Sequence, residues 1–157
     1  KESGQAAATL QVANILKMYA RLLQMGGRPM WLANQDTLPQ LGQLTIGNNA
    51  AWLPVNQPIA GSPSGGYLAG VPLMFNDHMQ TLGAVGDIVA CDLTGYALAT
   101  KVGGGIDFAA SIHLFFDYNL AAFRWIFRVG GQPYLSKPVA PANGSSTRSH
   151  FVALQAR

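Results

Sequence analysis

Charge is scarce in this chain. Only 11% of its 157 residues are charged, where about 25% is usual. A freely soluble monomer normally carries more, so the sequence predicts surface hidden in an assembly or within a larger protein. Ten Lys and Arg against seven Asp and Glu leave a net charge of +3. The basic residues are scattered, with no run of them among aromatics, which argues against a dedicated nucleic-acid surface. One cysteine, Cys91, excludes an intrachain disulfide. It lies in an apolar segment, where a free thiol behaves as a small hydrophobe, and a lone thiol suits a reducing compartment. No apolar run is long enough to predict a membrane helix. No secretory signal is visible. The sequence begins at Lys1 in what reads as the end of a strand, and we read it as part of a longer protein.

Catalytic patterns are also missing. A nucleophile elbow needs Gly-x-Ser-x-Gly after a strand, but Gly61-Ser62-Pro63-Ser64-Gly65 puts Pro at the nucleophile and lies in a loop. No Gly-Lys-Ser/Thr closes a phosphate loop, and Gly103-Gly104-Gly105-Ile106-Asp107-Phe108 lacks the last glycine of a dinucleotide fingerprint. His78, His113 and His150 stand apart from any metal-ligand spacing. Asp87 and Asp92 flank one strand, where turn capping is the better reading than acid–base chemistry. Asn143-Gly144-Ser145 is a formal glycosylation sequon without a secretory context. No catalytic, cofactor-binding or metal residue is therefore expected, and no small-molecule substrate. Arg124 and Arg128 stand out instead. Four residues apart on a predicted strand, they fall on one face opposite aromatics. A planar guanidinium there suits pairing within the sheet or across a subunit contact.

What the chain does have is apolar patterning, with 49% hydrophobic residues. Thr9 reads as the N-cap of an amphipathic helix over Leu10–Met25, packed through Ile15, Leu16, Tyr19 and Leu23 and stopped by Gly26-Gly27. A strand over Arg28–Ala33 follows, then a helix to Leu44 capped by Asn34 or Asp36, with Pro39 favouring Asp36. Residues 54–66, rich in Pro, Gly and Ser, read as an exposed loop. Strands are predicted at Val71–Phe75, Ile88–Leu93, Tyr96–Thr100, Ser111–Phe116, Phe123–Val129 and Phe151–Leu154. Period-two alternation in the two between Ser111 and Val129 predicts one buried face. Gly130-Gly131 reads as a hairpin turn, and Pro138–Arg148 as a second loop.

The order of several short motifs is the most specific signal. It runs from a helix through the strand bearing Trp31 and a short capped helix to Gly70-Val71-Pro72. Met79, Leu82-Gly83, Gly86-Asp87, Asp92-Leu93, Tyr96 and finally Arg124 to Gly131 follow. This order resembles the carboxy-terminal half of tailed-phage major capsid proteins, the shell family with the Hong Kong 97 phage fold. Gln80 stands where Pro is common in the family, and Gly130-Gly131 replaces a frequent Asp-Gly. The resemblance implies an α+β fold with a mixed or antiparallel sheet flanked by helices. It implies that residues 1–157 are mainly the axial domain, with peripheral-domain strands around 111–129. The family's amino-terminal arm, extended loop and spine helix have no counterpart here, nor does the loop lysine that cross-links some members. It further implies a structural protein and not an enzyme. Such a subunit joins other copies in pentamers and hexamers, forming an icosahedral shell around double-stranded DNA without sequence-specific recognition. The place would be the virion, and the host cytoplasm during assembly. An encapsulin-like shell around a cargo enzyme is the alternative. A hydrolase is a third reading, weakened by the missing constellation.

Overall fold

The structure is a computed structural model that describes residues 2–55, 63–101 and 105–157. In chain order, helix α1 (Val12–Arg21) leads to β1 (Pro29–Ala33), a 3₁₀ turn (Gln35–Thr37) and the short α2 (Leu38–Leu41). Four two-residue strands follow: β2 (Thr45–Ile46), β3 (Asn49–Ala50), β4 (Trp52–Leu53) and β5 (Tyr67–Leu68). Then come β6 (Val71–Phe75), β7 (Ile88–Asp92), a 3₁₀ turn (Leu93–Gly95) and β8 (Tyr96–Thr100). Last are β9 (Asp107–Phe115), a 3₁₀ turn (Phe116–Tyr118), β10 (Leu120–Ile126), β11 (Val129–Pro133) and β12 (Phe151–Ala153). The chain divides into two compact units, residues 1–95 with 135–157, and residues 96–134.

The first unit is built on a six-stranded sheet, ordered β12-β7-β1-β6-β5-β4. β1 runs parallel to β6 and antiparallel to β7, so the sheet is mixed. The α+β class expected from the resemblance is the one observed. Trp31, fully buried on β1, donates its indole N–H to the Leu68 carbonyl at 3.1 Å. A buried indole needs such a partner. Ile15 and Met18 of α1, Leu41 of α2, and Leu68, Leu73 and Ile88 of the sheet complete the core.

The helix differs from its expected form. Its N-cap is Gln11, whose amide donates to Asn14 Oδ1 at 3.0 Å. Thr9 instead donates its hydroxyl to the Ala6 carbonyl. The helix ends at Arg21, because Leu22 turns extended and bridges Ser149, and the Leu23 amide bonds the Ser149 carbonyl at 2.8 Å. Tertiary pairing therefore stops the helix before Gly26-Gly27. Leu16 is 45% exposed and lies outside the core, whereas Ile15, Met18, Leu22 and Leu23 are buried. Ending at Arg21 and rotating by about one residue moves the apolar stripe off Leu16. The second predicted helix shrinks to the 3₁₀ turn and α2. Its cap is Asn34, not Asp36: the Asn34 side chain accepts from the Asp36 amide at 2.9 Å and donates to the Met79 carbonyl. Pro39 still lies at the start of α2.

Most of the predicted 54–66 loop, and part of the Gly103–Gly105 stretch, lies outside the described residues. At the described edge of that loop, Gly65 accepts the Trp52 indole N–H at 2.7 Å and donates its amide to Leu73.

The second unit holds two antiparallel pairs, β8 with β11 and β9 with β10. They nest along one chain excursion, with the reversal at Phe116–Asn119. Asn119 takes a left-handed backbone with φ 52°, a conformation Asn tolerates better than most residues. Two sequence expectations fail here. β10 ends at Ile126, so Phe127 and Arg128 lie between strands and Arg128 does not share β10 with Arg124. Gly130 and Gly131 sit within β11 and make no turn. A Cβ on Gly131 would run into the Tyr96 ring and the Ala97 carbonyl. Close backbone approach is one reason for a glycine inside a strand.

Candidate interaction surface

The second unit carries the candidate contact residues. Across the β9–β10 pair, Phe108 lies opposite Trp125, Ala109 opposite Arg124 and Ala110 opposite Phe123. Alternation puts Phe108, Ala110, Phe123 and Trp125 on one face, and Ala109 and Arg124 on the other. The aromatic face is a packed cluster. Phe108 and Trp125 have ring centroids 5.5 Å apart, and Phe123 lies 6.1 Å from each. The alternation is as expected, but the burial is not. Phe108, Phe123 and Trp125 are all exposed, Trp125 at 64%. A two-stranded ribbon has too little sheet to bury a face by itself.

The turn at the ribbon's end continues the apolar surface. Phe116 and Tyr118 are 75% and 77% exposed and bracket Asp117. Arg124 and Arg128 are exposed, and neither forms an ion pair with a described residue. Lys101 and Asp107 do pair, at 2.6 Å. The sequence reading picked out the two arginines but not Phe116 and Tyr118. Their signal was available as three consecutive aromatic or acidic residues, Phe115-Phe116-Asp117, before Tyr118.

Asp87 and Asp92 of the first unit are occupied with structure. Asp92 Oδ1 accepts from the Thr94 amide at 3.0 Å, the Thr94 hydroxyl at 2.7 Å and the Arg28 amide at 3.3 Å. Burial pushes the Asp92 carboxyl up, but the Thr94 and Arg28 hydrogen bonds and the nearby His150 outweigh it and hold it below its usual value. His150 Nδ1 stands 3.9 Å from Asp92 Oδ2 and has no hydrogen-bond partner among the described residues. Asp87 accepts from the Gly83 amide at 2.9 Å and pairs with Arg157 through both oxygens, at 3.1 and 2.6 Å. Turn capping by both aspartates is thus what the structure shows. The arginine partner was missed. Cys91 is buried, and burial, with Asp92 beside it, pushes its thiol up to about 11. His78 and His113 are exposed. No group of three metal-ligating side chains gathers among the described residues.

Comparison with known proteins gives this arrangement a family. No curated protein matches the sequence. One solved structure, the capsid of an empty GTA particle computed with C5 symmetry, shares the fold with a TM-score of 0.54 at 20% identity. The match covers 82% of this chain and 42% of that one, so the chain spans about two fifths of the capsid chain it matches. The sequence model of the phage capsid family matches residues 1–144. With motif order, mixed sheet and capsid-like fold in agreement, the chain belongs to the phage capsid family.

Proposed function

We propose that this chain is the carboxy-terminal portion of a major capsid subunit whose copies build an icosahedral shell around double-stranded DNA. The family match over residues 1–144 is the observation that carries this reading. The physical chemistry supports it. Low charge, an exposed aromatic ribbon and buried aspartates committed to turns and an ion pair suit a protein whose work is contact with its own copies. On this reading the chain is mainly the axial domain, with peripheral-domain strands around 111–129, which fall within the second unit. DNA would be held inside without sequence reading, since a net charge of +3 offers a weak footprint. The place of action is the virion.

The experiment is recovery of particles from cells making the full-length protein with its neighbouring phage genes. Nuclease-resistant DNA of uniform length inside the particles is the expected result. Particles that hold a single enzyme and no DNA would point to the encapsulin-like alternative. No particles at all would overturn the reading.

A further inference from the structure

We propose that the open edge of β12 takes an extended acidic segment of a partner protein as an added strand. The main chain of Ala153 and the side chains of Lys17 and Arg21 on α1 would hold it. The inference goes beyond the capsid reading and does not depend on it.

β12 ends the six-stranded sheet and pairs with β7 on its inner side. The register shows which main-chain groups face outward. The His150 carbonyl accepts from the Asp92 amide at 2.8 Å, and the Leu154 amide donates to the Ile88 carbonyl at 3.1 Å. Successive residues of an antiparallel strand turn their N–H and C=O to opposite sides. Val152 therefore faces β7, while Ser149, Phe151 and Ala153 face outward. The chain itself uses the start of this outer side. Leu22 bridges Ser149, and the Leu23 amide bonds the Ser149 carbonyl. The Phe151 amide reaches Ser149 Oγ. Ala153 is exposed, and its outward N–H and C=O have no partner among the described residues. Such an edge is a template for one more strand.

Beside it lies a groove of about 520 Å³ between β12 and α1, lined by Met18, Val152 and Leu154 and flanked by Lys17 and Arg21. The two cations stand four positions apart on α1, about 6 Å along its axis. Side chains two positions apart on one face of a strand are about 6.6 Å apart. Carboxylates at alternate positions of a guest strand thus match the spacing of the cations. Arg21 is exposed and has no ion-pair partner among the described residues. Lys17 pairs with Glu2 at 2.6 Å, the carboxylate among the described lining residues. Arg148 is exposed nearby, since the Ser149 amide bonds the Arg21 carbonyl. Cations outnumber the carboxylate, which selects an acidic guest, and main-chain pairing selects an extended one. Arginine adds a planar fork that engages a carboxylate through two bonds.

The test is fluorescence anisotropy on the full-length protein with a labelled peptide of alternating glutamate and threonine. The same peptide with lysine for glutamate is the control. The glutamate peptide should bind at least tenfold more tightly than the lysine peptide. Arg21→Glu should weaken it at least tenfold. Ala153→Pro should do the same, because it removes an outward amide that β7 does not use; circular dichroism checks its fold. If that variant unfolds, hydrogen exchange decides: in the wild type the glutamate peptide should slow the Ala153 amide at least tenfold. Equal binding of the two peptides, wild-type affinity in either folded variant, or an Ala153 amide unchanged by peptide overturns the proposal. An Ala153 amide already protected without peptide would mean that another part of the chain covers the edge, which also overturns it. Duplex DNA that displaces the peptide and binds Ala153→Pro as tightly as wild type would reassign the groove to phosphates, against a strand-pairing guest. Shell formation is scored separately, so normal shells without peptide binding sink this inference alone, and peptide binding without shells sinks the capsid reading alone.

Discussion

Asp87 and Arg157 lie 70 positions apart and meet as a two-pronged ion pair with both side chains fully buried. The same guanidinium also donates through Nε to the Thr9 carbonyl. One arginine thus ties together the segment before α1, the turn before β7 and the stretch after β12. Removing one partner strands a buried charge, which costs about 3–5 kcal/mol. Arg157→Ala should lose that much in denaturant unfolding. A loss below about 1 kcal/mol would show that the pair is not closed in solution.

Gly27 and Asp92 give a second prediction. A Cβ on Gly27 would overlap the Asp92 carboxylate. Here glycine is required by close approach. Gly27→Ala should displace that carboxylate and destabilise by about 1–3 kcal/mol, the usual range for overpacking. An unchanged midpoint would mean that the two backbones stand farther apart than described.

Helix α1 separates two neighbouring positions. Ile15 is buried and Leu16 is half exposed. Ile15→Ala should cost about 2–5 kcal/mol, as core truncations do. Leu16→Ala should cost less than about 1 kcal/mol, in the range of surface changes. Equal losses would put the helix in another rotation.

Asp92 predicts a pH dependence. Its folded value is lowered by the Thr94 and Arg28 hydrogen bonds and by His150, against the opposing effect of burial. The unfolded chain binds the proton more readily, near about 3.9. The contribution is therefore present above that pH and is lost as pH falls through the lower folded value. Asp92→Asn should flatten the acid limb of the stability curve. Parallel curves for the two proteins below about pH 4 would remove the assignment.

Cys91 titrates the other way. With its thiol pushed to about 11, little thiolate forms in mildly alkaline solution. A thiol reagent should react on the order of 100-fold more slowly with the folded chain than with the unfolded one. Equal rates would place Cys91 at the surface.

These residues also mark what the sequence makes legible. β1, β6, β7 and β8 were readable because apolar runs bounded by Gly, Asn and Asp leave few alternatives. The cap of α1 was not, because Gln11 and Asn14 depend on partners brought by folding, whereas Asn34 was one of the two caps the sequence offered for the next turn. Asn14 shows this best: its buried amide exchanges hydrogen bonds with Gln5 at 2.8 and 3.2 Å, a pairing no local pattern announces. Leu16 failed because nearly every turn of α1 has an apolar choice, and only the packed sheet decides among them. Arg124 was readable as a strand residue of note, since its neighbours alternate. Its separation from Arg128 was not, because the break at Phe127-Arg128 has no glycine or proline to signal it.

The central claim is that this chain is part of a shell subunit, and electron microscopy of the purified full-length protein tests it most directly. The account predicts closed particles of uniform diameter, with the β12-β7-β1-β6-β5-β4 sheet repeated around fivefold and sixfold positions and the 96–134 ribbon at contacts between copies. A protein that stays monomeric at high concentration, in the presence of its phage assembly partners, would contradict it.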